Sequence, residues 1–273
     1  MTFDDSIKTA TSGVALVGEI IKAAGDNPNM KEAGQNLGKT ALTITKTINN
    51  VMLPLAAVNF AFEKARVYFS EKFQQDLSQK ASSIPSEQII EPKASIAGPA
   101  LQGLAFTHEE ANLKDMYLSL LATAMDGRVA SEAHPAFVEI IKQLNSEEAD
   151  LIRGILQSPS GIPIVEIRAT RIKGDWLTLQ THMLNLSNSE SASPIENPKV
   201  PAMVDNWVRL GLVGVDYTKY LTGADYYGWV ENRPEVTRYR KELENEIQKI
   251  SFTNGIIHRT ALGVQFAKAV GLA

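Results

Sequence analysis

A chain of 273 residues with 44% hydrophobic and 21% charged side chains has a globular composition and length for a sizeable core, in one large domain or two ordinary ones. Its formal net charge of −4 gives no electrostatic reason to bind nucleic acid or an anionic membrane. The absence of cysteine excludes disulfides, thiolate metal sites and thiol catalysis, and points to a reducing cytoplasm.

The first residues, Met1-Thr2-Phe3-Asp4-Asp5, are acidic where a secretory signal begins basic, which predicts no export signal. Val14, Val17, Ile21 and Ala24 recur at the spacing of one helix face, and Gly25 with the polar run after it ends that helix. A longer helical region is predicted from about residue 30 to 83, broken near Pro54. Its stretch 47–62 carries no charge. A membrane-spanning helix needs about 20 apolar residues, and this run is shorter and contains Asn49, Asn50, Asn59 and Pro54. It reads as helix buried in the fold or packed on a partner, with lipid contact reserved for an activated state. Ala33-Gly34-Gln35-Asn36-Leu37-Gly38-Lys39-Thr40 fits a loose phosphate-loop pattern, but no hydrophobic strand precedes it to converge amides on a phosphate. It reads as the polar start of a helix.

Pro85, Pro92 and Pro99 mark 83–99 as a connector that excludes continuous helix. Thr107-His108-Glu109-Glu110 matches a capping box. The helix it opens, to about Met125, places Leu113, Met116, Tyr117, Leu120, Leu121 and Ala124 on one face. His134-Pro135 opens a second helix with Phe137, Ile140, Ile141 and Leu144 inward. Asn145-Ser146-Glu147-Glu148 caps a third that buries Leu151, Ile152, Ile155 and Leu156.

From Gly161 the period changes. Residues 162–167 read as a strand by their β-branched content, 185–197 as a mobile Ser/Asn-rich loop, 198–210 as a helix closed by Gly211, and 212–215 as a strand. Pro234 suits the first turn of a charged helix ending near Ile247, Asn254-Gly255 signals a hairpin within 250–259, and Thr260 caps a last helix to Val270. The expected fold class is mainly α, an N-terminal and central helical region followed by a smaller α+β winged-helix-like domain. The expected divisions are 1–83, 84–160 and 161–273.

No catalytic, cofactor-binding or metal-ligating residue is predicted, and the chain is not expected to be an enzyme. His108, His134, His182 and His258 are far apart in sequence, no Gly-x-Ser-x-Gly elbow occurs, and Glu109/Glu110 and Glu147/Glu148 sit in first helical turns where capping explains them. The candidate interaction positions are His134, Pro135 and Phe137 in the central region and Lys199 and Arg209 on the helix over 198–210. A duplex-reading helix would use such cations. Here the apolar residues Val200, Met203, Val204, Trp207 and Val208 read mostly as core and Asp205 opposes phosphate, which favours protein contact over nucleic acid.

Several stretches resemble the abortive-infection alpha family of bacterial phage-defence proteins: Leu53-Pro54-Leu55 with Asn59, Ile84-Pro85 with Ile89 and Glu91-Pro92, residues 120–126, and above all the run His134-Pro135-Ala136-Phe137-Val138-Glu139-Ile140-Ile141-Lys142-Gln143-Leu144. Residues 205–212, Thr260-Ala261-Leu262-Gly263 and Phe266 add to it. The resemblance implies a bacterial cytoplasmic protein that limits phage multiplication, often at the expense of the infected cell, and supplies no catalytic residues. The expected partners are a phage component or companion defence protein, or a second copy of the chain. The apolar N-terminal helices would be the effector part, able to meet a membrane or a phage structure after activation, and the C-terminal part would sense or dock.

Overall fold

A computed structural model describes residues 40, 43, 44, 46–48, 59–223 and 225–273. The predicted helix over 5–24, the break at Pro54 and most of the uncharged run 47–62 lie outside the described residues. The chain forms two compact units, residues 1–150 with 266–272, and residues 151–265 with 273.

The first unit is helical: α1 (Asn59–Glu71), α2 (Phe73–Ala81), α3 (Ala94–Thr107), α4 (Ala111–Met125), α5 (Pro135–Lys142) and the start of α6 (Ser146–Gln157). The inward face predicted for α4 is buried as expected, and Leu118, Ala122 and Met125 are buried beside it. A helix buried on most of its circumference is a core element rather than a surface one. In α5, Phe137, Val138 and Ile141 are 1% exposed or less. Phe137 meets Phe266, from α9 (Ala261–Ala269), edge to face at 5.6 Å between ring centroids. The Thr123 hydroxyl donates to the Ala269 carbonyl at 2.9 Å. Two segments quoted for the family resemblance also meet here: the Ile90 amide donates to the Met125 carbonyl and the Gly127 amide to the Gln88 carbonyl.

The predicted caps divide by whether their side chains are free of the helix before them. Asn145 and Glu148 form a reciprocal box, the Glu148 amide donating to Asn145 Oδ1 at 2.9 Å and the Asn145 amide to Glu148 Oε2 at 3.0 Å. His134 Nδ1 accepts from the Ala136 amide at 3.1 Å, with Pro135 at the first helical position. Replacing His134 by Ala should cost about 1 kcal/mol of stability, and His134→Asn should keep most of it; chemical denaturation of both variants checks this. Thr107 behaves differently. It ends α3 and donates back to the Gly103 carbonyl at 3.1 Å, so no capping box opens α4, whose N-terminus carries no side-chain cap. Pro99 is likewise inside α3 rather than in a connector. It is the sixth residue of the helix, so its missing amide leaves the Ser95 carbonyl without the usual i→i−4 donor.

The second unit carries β1 (Ile162–Arg171), β2 (Trp176–Met183), α7 (Val200–Arg209), β3 (Val213–Asp216), α8 (Pro234–Leu243) and β4 (Gln248–Arg259). The strands form one antiparallel sheet in the order β2-β1-β4-β3. Val165, Ile167 and Ala169 alternate onto one face, where Met183, Val230, Val236 and Ile250 complete a core.

This corrects the expected fold class. The expected winged helix rests on the order helix, strand, helix, strand and hairpin, with Asn254-Gly255 as the hairpin turn; instead both residues lie inside the twelve-residue strand β4, opposite Val165 and Ile164. Gly255 serves packing, since a Cβ there would come within 2.5 Å of the Tyr217 ring. Strand β1 extends past the predicted end at residue 167, and β2 was not predicted. The unit is a four-stranded antiparallel sheet curled into a half-barrel, with α7 and α8 as its helices. Gly211 (φ 72°) closes α7 as expected, and Thr260 caps α9 through the Gly263 amide at 2.9 Å.

Candidate functional site

The positions singled out in the sequence fall in different places. His134 and Pro135 start α5, and Phe137 is core; each has a local structural role. Lys199 and Arg209 stand at opposite ends of α7. Arg209 donates to Asn206 Oδ1 at 2.6 Å, while Val200, Met203, Val204 and Trp207 are buried. The helix therefore presents these four residues inward as the sequence suggested, whereas Val208, also read as core, is 43% exposed.

The structure assembles a different group of residues, on the sheet face opposite the core. Alternation along β1 sends Glu166, Arg168 and Thr170 to that face. Glu166 and Arg168 form an ion pair, and Thr170 shares a hydrogen bond with Ser251 of β4 at 2.5 Å. The Arg168 guanidinium lies over the Trp176 ring, 4.8 Å from its centroid, because Trp176 stands opposite Thr170 on the neighbouring strand. Such a cation–π contact contributes about 0.5–1 kcal/mol at an exposed site.

Beside this row, His182 has φ 57°, a conformation that costs a non-glycine residue of order 1–3 kcal/mol. Three hydrogen bonds hold it. The His182 amide donates to Tyr217 Oη at 3.0 Å, Nδ1 is 3.1 Å from the same hydroxyl, and Nε2 is 3.2 Å from Asp205 Oδ1. The imidazole and phenol rings stack at 6.0 Å. The Tyr217 hydroxyl accepts from the His182 amide, which leaves its own hydrogen for Nδ1 and the Nε2 hydrogen for Asp205. Burial pushes the Tyr217 hydroxyl up to about 12, so the phenol stays protonated and can play this part throughout the neutral range. The chain Asp205–His182–Tyr217 thus ties the end of β2 to α7 and to the residue after β3. No sequence pattern pointed to it, since its members are 12–35 residues apart.

At the other end of β2 the side chains are open to solvent. Ile172 is 76% exposed, Leu177 66%, Ile247 63% and Trp176 57%. The Ile172 amide donates to the Ile247 carbonyl at 3.0 Å, which draws the β1–β2 turn and the start of β4 together. Strand β2 is a sheet edge, and an edge leaves backbone donors and acceptors unpaired. Trp176 stands opposite Thr170 and Leu177 opposite Ala169, so the two side chains leave the edge strand on opposite faces; exposed apolar side chains flanking such an edge are the composition of an interaction surface. Trp176 and Leu177 are adjacent apolar residues, which breaks the apolar–polar alternation at the start of the strand.

A buried cluster shapes the other side of this unit. Arg233 is 0% exposed and Glu235 2%. The guanidinium donates to both Glu235 oxygens, at 3.1 and 2.8 Å, and to the Leu186 and Ile195 carbonyls at 2.5 and 2.6 Å. It therefore anchors both ends of the loop predicted over 185–197, whose Asn188 side chain accepts from the Glu190 and Ser191 amides.

Among the described residues, no group of three or more His, Asp or Glu side chains could hold a metal ion, and no helix is long and apolar enough to cross a membrane. No solved structure gives a significant match. The chain is 24% identical to squalene epoxidase 5 of Arabidopsis thaliana over 198 residues, 67% of this chain and 38% of that protein. The chain thus spans well under half the length of this curated relative, and the likeness carries no argument about its chemistry. Residues 65–270, including α2 to α8, all four strands and Phe266, match the model of the family described as abortive infection alpha; the chain belongs to that family.

Proposed function

We propose that this protein acts in abortive-infection defence against phage without catalysing a reaction, by binding a protein partner through the exposed end of its sheet. The observation that carries the reading is the exposure of Ile172, Trp176, Leu177 and Ile247 on and beside an edge strand, where Trp176 and Leu177 flank the open backbone from its two faces. Two physical arguments favour a protein over lipid. A partner strand or loop can satisfy the open backbone groups of β2, whereas hydrocarbon leaves them unpaired at a cost of several kcal/mol each. Trp176 is also held in place by Arg168, so its large surface is presented with little entropy left to lose on binding.

The test is a phage challenge with Trp176→Ala combined with Leu177→Ser. Both side chains are more than half exposed, so stability should change by only about 0.5–1 kcal/mol, which includes the lost Arg168 contact. Protection should fall by at least tenfold in plating efficiency while the melting curve stays near that of the parent chain. Undiminished protection in the folded double variant rejects the reading. Flotation of the purified protein with vesicles, abolished by the same substitutions, would instead assign the surface to lipid.

A further inference from the structure

Strands β2 and β3 are the two edges of one sheet, and they are protected differently. Strand β3 is four residues long and carries Asp216, which pairs with Lys219 at 3.2 Å. Shortness and charge are what keep an edge from pairing with another chain. Strand β2 runs for eight residues, Trp176–Met183, without an Asp, Glu, Lys, Arg or Pro. Its pairing with β1 is regular over 176–178 and shifts register before Gln180, so the regular stretch of the edge is centred on Leu177.

The direction of the free backbone groups follows from the turn. The Arg171 amide donates to the Asp175 carbonyl at 2.9 Å. Opposed residues in an antiparallel pair alternate between hydrogen-bonded and non-hydrogen-bonded. Leu177 therefore exchanges its bonds with Ala169, its partner on β1, and Trp176 and Thr178 turn their amides and carbonyls to the open edge. Among the described residues, no loop or side chain takes up these four groups, and residues 171–178 are all exposed.

An antiparallel copy of the same stretch satisfies them reciprocally. Trp176 of each chain exchanges two hydrogen bonds with Thr178 of the other, which sets Leu177 opposite its own copy on a two-fold axis. Closed two-fold pairs are the commonest oligomers. A strand of a different protein is selected by complementary charge; β2 offers none, and a neutral strand meets itself without like-charge repulsion. The side chains agree with this symmetry. On one face the two Leu177 side chains pack together. On the other the two Trp176 rings stand on a diagonal of about 7–8 Å, within reach of aromatic side chains.

We propose that the partner at this edge is a second copy of the chain, joined β2 to β2 about a two-fold axis through Leu177, so that two four-stranded sheets continue as one. The inference rests on reading the edge as a protein-binding surface, and it supplies the partner.

Light scattering from the purified full chain at micromolar concentration should give twice the mass of one chain. Leu177→Lys sets like charges against each other on the axis and should weaken the dimer by about tenfold or more. Leu177→Glu should do the same. Mixed in equal amounts, the two folded variants should recover a one-to-one dimer, as pairing of position 177 with itself requires. The chain has no cysteine, so disulfide trapping reads the register directly. Opposed residues of a non-hydrogen-bonded pair lie about 4.5 Å apart at Cα, within disulfide range, so Leu177→Cys should link two chains under mild oxidation. Thr178→Cys, which faces its copy only across the diagonal, should not. A monomeric parent chain, a dimer indifferent to Leu177→Lys, or no recovery on mixing each overturns the proposal. A monomeric parent chain together with loss of protection in Trp176→Ala with Leu177→Ser rejects the second copy and keeps a different protein as partner. A dimeric parent chain together with undiminished protection in that double variant keeps the β2 pairing and rejects its role in defence.

Discussion

Arg233→Ala should destabilise the protein by about 3–5 kcal/mol, the range for breaking a buried pair from one side. The deletion strips Glu235 of its counter-charge at 2% exposure and removes the guanidinium from the Leu186 and Ile195 carbonyls, of which Leu186 keeps the Ile195 amide as donor. Arg233→Lys should not rescue it. A lysine has one nitrogen, which cannot reach the two Glu235 oxygens and both carbonyls as a guanidinium fork does. A paired replacement, Arg233→Met with Glu235→Leu, should recover part of the loss, because it removes both charges from the interior together and leaves the Ile195 carbonyl as the group to account for, Leu186 still accepting from the Ile195 amide. Urea unfolding of the three variants measures this. A loss below about 1 kcal/mol for Arg233→Ala would mean that the cluster is solvated in practice and that the loop ends are held by other contacts.

Gly263→Ala should cost about 3 kcal/mol, the upper end for overpacking. A Cβ at this position overlaps the Leu212 carbonyl oxygen, a backbone atom that cannot rotate away as a side-chain tip could. That oxygen is also fixed from other directions, since it accepts from the Thr260 amide at 3.0 Å and lies within reach of the Thr260 hydroxyl. The start of α9 must therefore shift off β3, and the Thr260 cap shifts with it. Gly154→Ala is the control. Nothing lies within 4 Å of a Cβ at that position, and alanine is the better helix former by about 1 kcal/mol, so this variant should be neutral or stabilising.

These two sites show where the sequence was legible. The central helices could be read because their signals are local. The pair Asn145 and Glu148 satisfy one another, His134 caps the turn that follows it, and the apolar spacing of α4 and α5 matches their buried faces. Thr107-Glu110 has the same local pattern and fails, because Thr107 already belongs to the helix before it. The sheet was less legible for a related reason. Asn254-Gly255 is a turn signal only if nothing else needs the glycine, and the ring of Tyr217, far away in sequence, needs it. Strand β2 has exposed Trp176 and Leu177 where alternation would put one polar residue. The Asp205–His182–Tyr217 chain and the Arg233–Glu235 anchor depend on partners that only the fold brings together. Arg233 and Glu235 look, in sequence, like ordinary charges at a helix start.

The helical unit draws its last piece from the far end of the chain. Phe266 packs on Phe137, and Ala269 receives the Thr123 hydroxyl. During synthesis Phe137 leaves the ribosome well before Phe266 is made; at about 5–20 residues per second the delay is on the order of ten seconds. Through that interval the nascent helices hold an unfilled hydrophobic seat, and no fragment ending before Phe266 can fill it from within. For a protein of a family named for abortive infection, the arrangement makes synthesis as far as Phe266 and Ala269 a condition for a finished helical core.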